Sequence, residues 1–346
     1  MAVVWVEGFE THTNTNQLAR KYATVSGSVF TEPGRVFGTS IEPNSLVLVT
    51  PSLGTDNTFI MGIGVRMLSN FSTIETGAQG FYVETGSSEQ CHVEIESDAS
   101  NGFRFQLYRG ATLIDSTSYT AFGSWVYLEV KITVRTGTNG AYEMRLNGAT
   151  DTSGTSVNLA ASGGDGWDVF SQRWSASYNT RLELDDIYIA NGTGSVNNDF
   201  LGPQTVEGIE VDTDGATNQW TPATGSDNSN MVDDLGTSNP VDTNNYNGSD
   251  TNTNKDLFNF TDLTDTAGTI NAVQLGVQMA MASAGTRTVK TKYRDPDTTE
   301  ADGTSHVVDS TSYDEFTEVF QQNPAATATW DSTDIDGGQF GIEVVS

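Results

Sequence analysis

Apolar residues in this 346-residue chain mostly alternate with polar ones or form short runs, and clusters of Gly, Asn, Asp, Ser and Thr cut those runs off. A period of two is the repeat of a β-strand, whose successive side chains point to opposite faces. Amphipathic helices need a repeat near 3.6 residues instead. The longest stretch of this kind is Trp125-Val126-Tyr127-Leu128-Glu129-Val130-Lys131-Ile132-Thr133-Val134. Tyr142-Glu143-Met144-Arg145-Leu146-Asn147-Gly148 follows it after Thr138-Asn139-Gly140, as the second arm of a hairpin. Phe59-Ile60-Met61-Gly62-Ile63-Gly64-Val65-Arg66-Met67 reads as a buried strand. Cys91-His92-Val93-Glu94-Ile95-Glu96 and Phe103–Gly110 alternate strictly, and Arg181–Ala190 closes the series. Short strands spaced by turn clusters predict an all-β antiparallel sandwich. Helices are expected only at Thr15–Lys21 and Tyr313–Gln321.

The charge is uneven. The chain has 45 acidic and 16 basic side chains, a net charge of −29. Residues 1–202 hold 11 basic and 21 acidic groups, a net of −10, and residues 203–346 hold 5 and 24, a net of −19. The change coincides with the loop signal Gly202-Pro203, which sets the expected domain boundary: 1–202 and 203–346. Such acidity argues against naked nucleic acid and anionic membranes as partners, because binding phosphate needs excess Lys and Arg. The lone Cys91 excludes an internal disulfide framework and a Cys-rich zinc site. No apolar run approaches a membrane span, and Met1–Glu10 has no basic region followed by a long apolar stretch.

Residues 212–256 are dominated by Asn, Asp, Ser, Thr and Gly, and Trp220, Met231, Val232, Leu235, Val241 and Tyr246 punctuate them. The expectation is an extended, anchored segment with short strands. Beyond it, Ala272–Ala280 and Thr286–Arg294 read as two paired strands joined by Ser283-Ala284-Gly285, and Gln339–Val345 as a last strand. The second domain is expected to be a smaller β-sandwich.

The first domain resembles the concanavalin A-like, laminin G-like jelly roll. The resemblance rests on Val6-Glu7-Gly8-Phe9-Glu10 as an opening edge strand, on Phe59–Met67, on the hairpin Trp125–Val134 with Tyr142–Gly148, and on Leu184-Asp185-Asp186-Ile187-Tyr188-Ile189 as the closing strand. The whole chain also resembles tailed-phage virion proteins. Here the carriers are Asp185–Ile189, Asn197-Asn198-Asp199-Phe200-Leu201-Gly202-Pro203, Val206-Glu207, Asp214-Gly215 and Trp220-Thr221-Pro222. Ala272-Val273-Gln274 paired with Ala284–Arg287, and the closing Asp336–Val345, complete the set. This resemblance implies a structural protein that decorates the capsid or forms part of a tail or fibre. It would fold in the host cytoplasm, be released on the virion, associate with other virion proteins and form a homo-oligomer. A carbohydrate-binding receptor module at a tail tip is the alternative, with a surface glycan as partner.

Laminarinase-type glucanases share the jelly-roll fold and carry Glu, Asp and Glu at alternate strand positions, so that one acts as nucleophile and another as acid. Glu183-Leu184-Asp185 supplies two such carboxylates and Glu94-Ile95-Glu96-Ser97-Asp98 supplies three, with His92 on the same face. A solvated strand face accounts for this alternation, so a glucanase-like hydrolase is the second alternative and the expectation is a chain that is not an enzyme. There is no Gly-x-Ser-x-Gly elbow and no phosphate-binding Gly-x-x-x-x-Gly-Lys loop. No cofactor is expected. Calcium is the one metal with candidate acidic turns, at Asp212-Thr213-Asp214-Gly215, Asp165-Gly166-Trp167-Asp168 and Asp185-Asp186. Trp167, Trp174, Tyr178 and Trp220 lie in loop-rich sequence and are the candidates for stacking on sugar rings, against the alternative that they fill the core.

Overall fold

The computed structural model describes residues 2–70, 79–161, 164–176, 181–233 and 244–346. The chain is all-β and divides into two compact units, Met1–Val206 and Glu207–Ser346. The first is a jelly roll. Its strands are β1 (Val3–Glu7), β2 (Thr24–Pro33), β3 (Thr39–Val49), β4 (Thr58–Met67), β5 (Gly80–Thr85), β6 (Ser88–Asp98) and β7 (Gly102–Arg109). They continue with β8 (Thr112–Ser116), β9 (Trp125–Thr133), β10 (Gly140–Leu146), β11 (Ala149–Val157), β12 (Val169–Arg173) and β13 (Leu182–Asn191). Hydrogen bonding runs β11-β10-β9-β4-β13-β3-β12-β5-β6-β7-β8, with β1 added to β13 and β2 to β3. One helix, α1 (Thr15–Lys21), lies between β1 and β2. It starts where expected because Asn14 and Gln17 form a reciprocal capping box.

Local sequence sets the hairpins. Asn147 and Gly148, at φ of 51° and 81°, form the two-residue turn between β10 and β11. Positive φ at both positions matches the right-handed twist of the flanking strands. The core side of the wrapped sheet is apolar: Met61, Ile63 and Val65 from β4, Leu128 and Val130 from β9, and Phe81, Cys91, Val93, Phe105 and Leu107 from β5 to β7 meet in one cluster.

The other face of β4, β9 and β13 is covered as well. A Cβ on Gly62 would lie 2.1 Å from the Tyr188 ring, so only glycine lets that ring lie on the strand. Tyr188 donates to Glu129 at 2.8 Å. The Asn197–Val206 stretch is strapped across this face: Gly202 N donates to Glu129 (2.8 Å), Val206 N donates to Asp186 (2.8 Å), and the Arg145 guanidinium sits 3.9 Å from the Phe200 ring centroid.

The second unit has β14 (Val211–Asn218), β15 (Thr221–Pro222), β16 (Asn247–Gly248), β17 (Lys255–Phe260), β18 (Val273–Met279), β19 (Arg287–Arg294), β20 (Glu300–Val308), β21 (Asp314–Phe320) and β22 (Gln339–Val344), with a short helix α2 (Ser332–Asp336). The order β14-β17-β22-β19-β20 forms one sheet, and the β18–β21 pair is separate from it. Tyr293, Phe320, Trp330 and Phe340 centre the core, with Val273 and Leu275 packed against them.

Two expectations are corrected here. Tyr313–Gln321 is a strand rather than a helix, because β21 finds a full antiparallel partner in β18, from Met279↔Asp314 to Val273↔Phe320. The strands at 272–280 and 286–294 do not pair with each other: β18 takes β21, and β19 takes β20 and β22. Tertiary pairing overrides the local hairpin signal.

The Asn/Asp-rich segment is anchored by its own carboxylates. Asp256 is buried and accepts from Gln219 N, Trp220 N and the Asn228 amide. Asp214 accepts from the backbone of Asn228 and Ser229. Leu235 and Val241 lie outside the described residues.

Candidate functional site

Strands β12, β5, β6 and β7 are neighbours, and their register places polar side chains in rows on the face turned away from the core. Ser171 pairs with Tyr82, Tyr82 with His92, and His92 with Tyr108, which makes the first row. Arg173 pairs with Gly80, Gly80 with Glu94, and Glu94 with Gln106, which makes the second. No side chain stands between Arg173 and Glu94, because a Cβ on Gly80 would lie 2.0 Å from the Val93 carbonyl oxygen.

The rings of the first row form a stack of plates, covered at one end by Arg173 from the second row. The Arg173 guanidinium lies 4.3 Å from the Tyr82 ring centroid. The His92 ring is 4.8 Å beyond, at 20° to Tyr82, and the Tyr108 ring 5.3 Å further, at 7° to His92. Ring faces are thus spent on each other. His92 Nδ1 meets Glu89 at 2.8 Å and Nε2 meets Glu94 at 3.1 Å. Two carboxylates on the two nitrogens require both to donate, which is the imidazolium form. Burial by itself would lower the His92 pKa, but the hydrogen bonds to Glu89 and Glu94 outweigh it and hold the group above its usual value. Glu89 is held low, first by that same bond. An imidazolium between two tyrosine faces also gains cation–π attraction.

Arg173 is ion-paired with Glu84, whose own pKa is pushed up by burial against the pull of Arg173. Arg104 is ion-paired with Glu96 and lies 4.7 Å from the Tyr119 ring centroid. Tyr108 Oη donates to Gln106 at 3.0 Å. Tyr82 is different. It is fully buried, and its hydroxyl has no hydrogen-bond partner among the described residues. Burial, then the charge of Glu89, pushes its pKa up, so the hydroxyl stays protonated at neutral pH. An unsatisfied buried hydroxyl costs on the order of 1–3 kcal/mol, so it marks a place where a partner would be stabilising.

The residues expected from the sequence fall elsewhere. Trp167 and Trp174 are core residues, 1% and 3% exposed. Trp167 donates to Thr58 O at 2.9 Å and meets Phe59 edge-on, while Trp174 meets Phe81 edge-on. Neither ring offers a face to a sugar, because the sandwich needs their volume. Tyr178 lies outside the described residues. Trp220, in the second unit, is half-buried and donates to Asn254 O at 3.2 Å. Glu94 and Glu96 do share a face with His92, but each is already paired, with His92 and Arg104. Glu183 pairs with Arg66. Asp185 accepts from Arg35 N and Asp186 from the Arg35 guanidinium, both at 2.6 Å. Asp165 accepts from Thr136 N and Asp168 from Gly86 N. Among the described residues no group of three or more His, Cys, Asp or Glu side chains is placed to hold a metal ion.

Sequence reasoning missed Tyr82, Tyr108, Glu84, Glu89 and Arg173. The signal available was the run of polar alternate positions in consecutive strands, Tyr82 and Glu84, His92 and Glu94, Gln106 and Tyr108. It becomes a site only once the register is known.

No protein family and no curated protein matches the sequence. Among solved structures the chain is similar to the alginate lyase Aly36B, at 12% identity over 54% of this chain and 96% of that one, with a TM-score of 0.37. It is also similar to the alginate lyase vAL-1 from Chlorella virus, at 11% identity over 54% of this chain and 99% of that one, with a TM-score of 0.36. An endo-β-1,4-glucuronan lyase from the fungus Trichoderma reesei matches at 13% identity over 49% of this chain and 90% of that one, with a TM-score of 0.30. The expectation of a chain that is not an enzyme is corrected on this finding. The solved structures it is similar to include polysaccharide lyases.

Proposed function

We propose that the jelly-roll unit binds a polysaccharide across the stack of Arg173, Tyr82, His92 and Tyr108. The observation that carries this reading is the buried Tyr82 hydroxyl without a partner, set among groups of fixed polarity. Guanidinium, imidazolium and phenol donate, and Glu84, Glu89 and Glu94 accept. A polyol, whose hydroxyls both donate and accept at short spacing, is the ligand that such an array suits. A sugar hydroxyl reaches Tyr82 by displacing Glu89, whose side chain is 28% exposed. Proton donors and carboxylates in one row also equip the face for proton transfer to a bound glycan. Glycan-array binding followed by calorimetry with Tyr82→Phe tests the reading. Binding lost in that variant supports it, and binding to no glycan, or binding unchanged by the substitution, refutes it.

We propose as a second reading that the chain works on a phage particle, as a capsid decoration or a tail component. Its support is the likeness of Asp185–Ile189 and Asn197–Pro203 to a junction of virion proteins, together with the charge imbalance. Residues 203–206 carry no charge, so the unit Glu207–Ser346 holds the whole net of −19. Detection of the chain by mass spectrometry in purified particles supports it, and consistent absence refutes it.

A further inference from the structure

We infer that the glycan taken by the Tyr82 face carries no anionic groups, and that protonated amino groups on it are favoured over neutral sugar. This rests on the polysaccharide-binding reading above and specifies its ligand. Among the described residues five carboxylates share the face, from Glu84, Glu89, Glu94, Glu96 and Asp98, against three cations, Arg173, His92 and Arg104. Each of those cations is already matched by a carboxylate: Arg173 by Glu84, Arg104 by Glu96, and His92 by both Glu89 and Glu94. The surplus is two negative charges with His92 protonated, and three without.

A polyuronate or sulfated glycan would bring one anion per residue or more onto this face. Binding it would require Arg173 or Arg104 to leave its own carboxylate, and the abandoned Glu84, which is buried, would keep an uncompensated charge. An amine meets the opposite situation. Glu89 and Glu94 each give one oxygen to His92, and their side chains are 28% and 29% exposed. Gly80, which lies between Arg173 and Glu94 in the register, adds no side chain beside them. The unpartnered Tyr82 hydroxyl then takes a neutral hydroxyl of the same sugar, so the two observations select one ligand: hydroxyl-rich, and neutral to cationic.

The test titrates the full chain with chitosan, N-acetylated chitin and alginate oligosaccharides of equal length, at pH 6 and low salt. The expected order is chitosan, then chitin, with alginate undetected. The preference for the amine should be about two- to fivefold, the size of a partly exposed ion pair, and should shrink as salt is raised. The double variant Glu89→Gln/Glu94→Gln should abolish the preference, bringing chitosan and chitin to equal affinity. Asp297→Asn, a surface change in the second unit, should leave the preference intact, which separates the site from bulk attraction to an acidic protein. Alginate binding equal to or tighter than chitin overturns the ligand class while leaving the polysaccharide reading intact. An amine preference that survives the double variant also overturns it. Binding of none of the three overturns both.

Discussion

The ring of His92 lies nearly parallel to that of Tyr108, 7° apart with centroids separated by 5.3 Å, while both of its nitrogens face carboxylates. The stack fixes the plane of the imidazole, and the carboxylates fix its charge.

That arrangement gives a pH dependence. His92 is held above its usual pKa. A group raised in the folded state contributes stability that is complete below its unfolded pKa and is lost as pH rises through the folded value. NMR titration of the His92 ring should therefore show a midpoint above about 6.5. Glu94→Gln should move it down, and an unchanged midpoint would contradict the role given to Glu94.

Tyr82→Phe removes a hydroxyl that has no partner among the described residues. Stability should change by less than about 1 kcal/mol, or rise slightly, since nothing is left unpaired by the deletion. Chemical denaturation reads this. A loss above about 2 kcal/mol would mean that the hydroxyl has a partner in the folded protein.

Trp167→Ala opens a cavity in the first unit, because Trp167 is 1% exposed and packed against Phe59. The expected cost is about 3–5 kcal/mol. If thermal unfolding were unaffected and glycan binding alone were lost, Trp167 would be a surface platform after all.

On the strapped face of the jelly roll, burial and then the Asp186 charge raise Asp185 to about 8, and burial raises Glu10 to about 9. Between about pH 4 and these values the folded state binds more protons than the unfolded one, so stability falls as pH rises. Asp185→Asn keeps an acceptor for Arg35 N and removes the titration. The decline of Tm from pH 5 to pH 9 should be shallower in this variant, and identical slopes would contradict the assignment.

In the second unit, Asp256→Ala should cost about 1–3 kcal/mol, since three donors from Gln219, Trp220 and Asn228 lose their acceptor in a buried place. Hydrogen exchange at Gln219 and Trp220 should accelerate with it. Unaltered exchange would show that the loop holds itself without the carboxylate.

Much of the fold was legible. Period-two alternation located β6, β7 and β9, the Thr138-Asn139-Gly140 turn located the β9–β10 hairpin, and a helix was expected at Thr15–Lys21, where α1 lies. The reading failed at β18, β19 and β21, because adjacency along the chain favours a hairpin while the sheet rewards partners that bury Phe320 and Tyr293 together. At Trp167 and Trp174 it left sugar stacking and core filling as alternatives, because loop-like neighbours do not reveal that a ring is needed to fill the sandwich.

The sequence alone determined which side of each strand is apolar, and so that His92, Glu94 and Glu96 share a face opposite Cys91, Val93 and Ile95. Alternation is a local property of the pleat. Only the tertiary structure decided that Tyr82, Tyr108 and Arg173 come beside His92, because that depends on the order and register of β12, β5, β6 and β7. Register is set by long-range burial of the opposite face, a quantity that no short stretch of sequence contains.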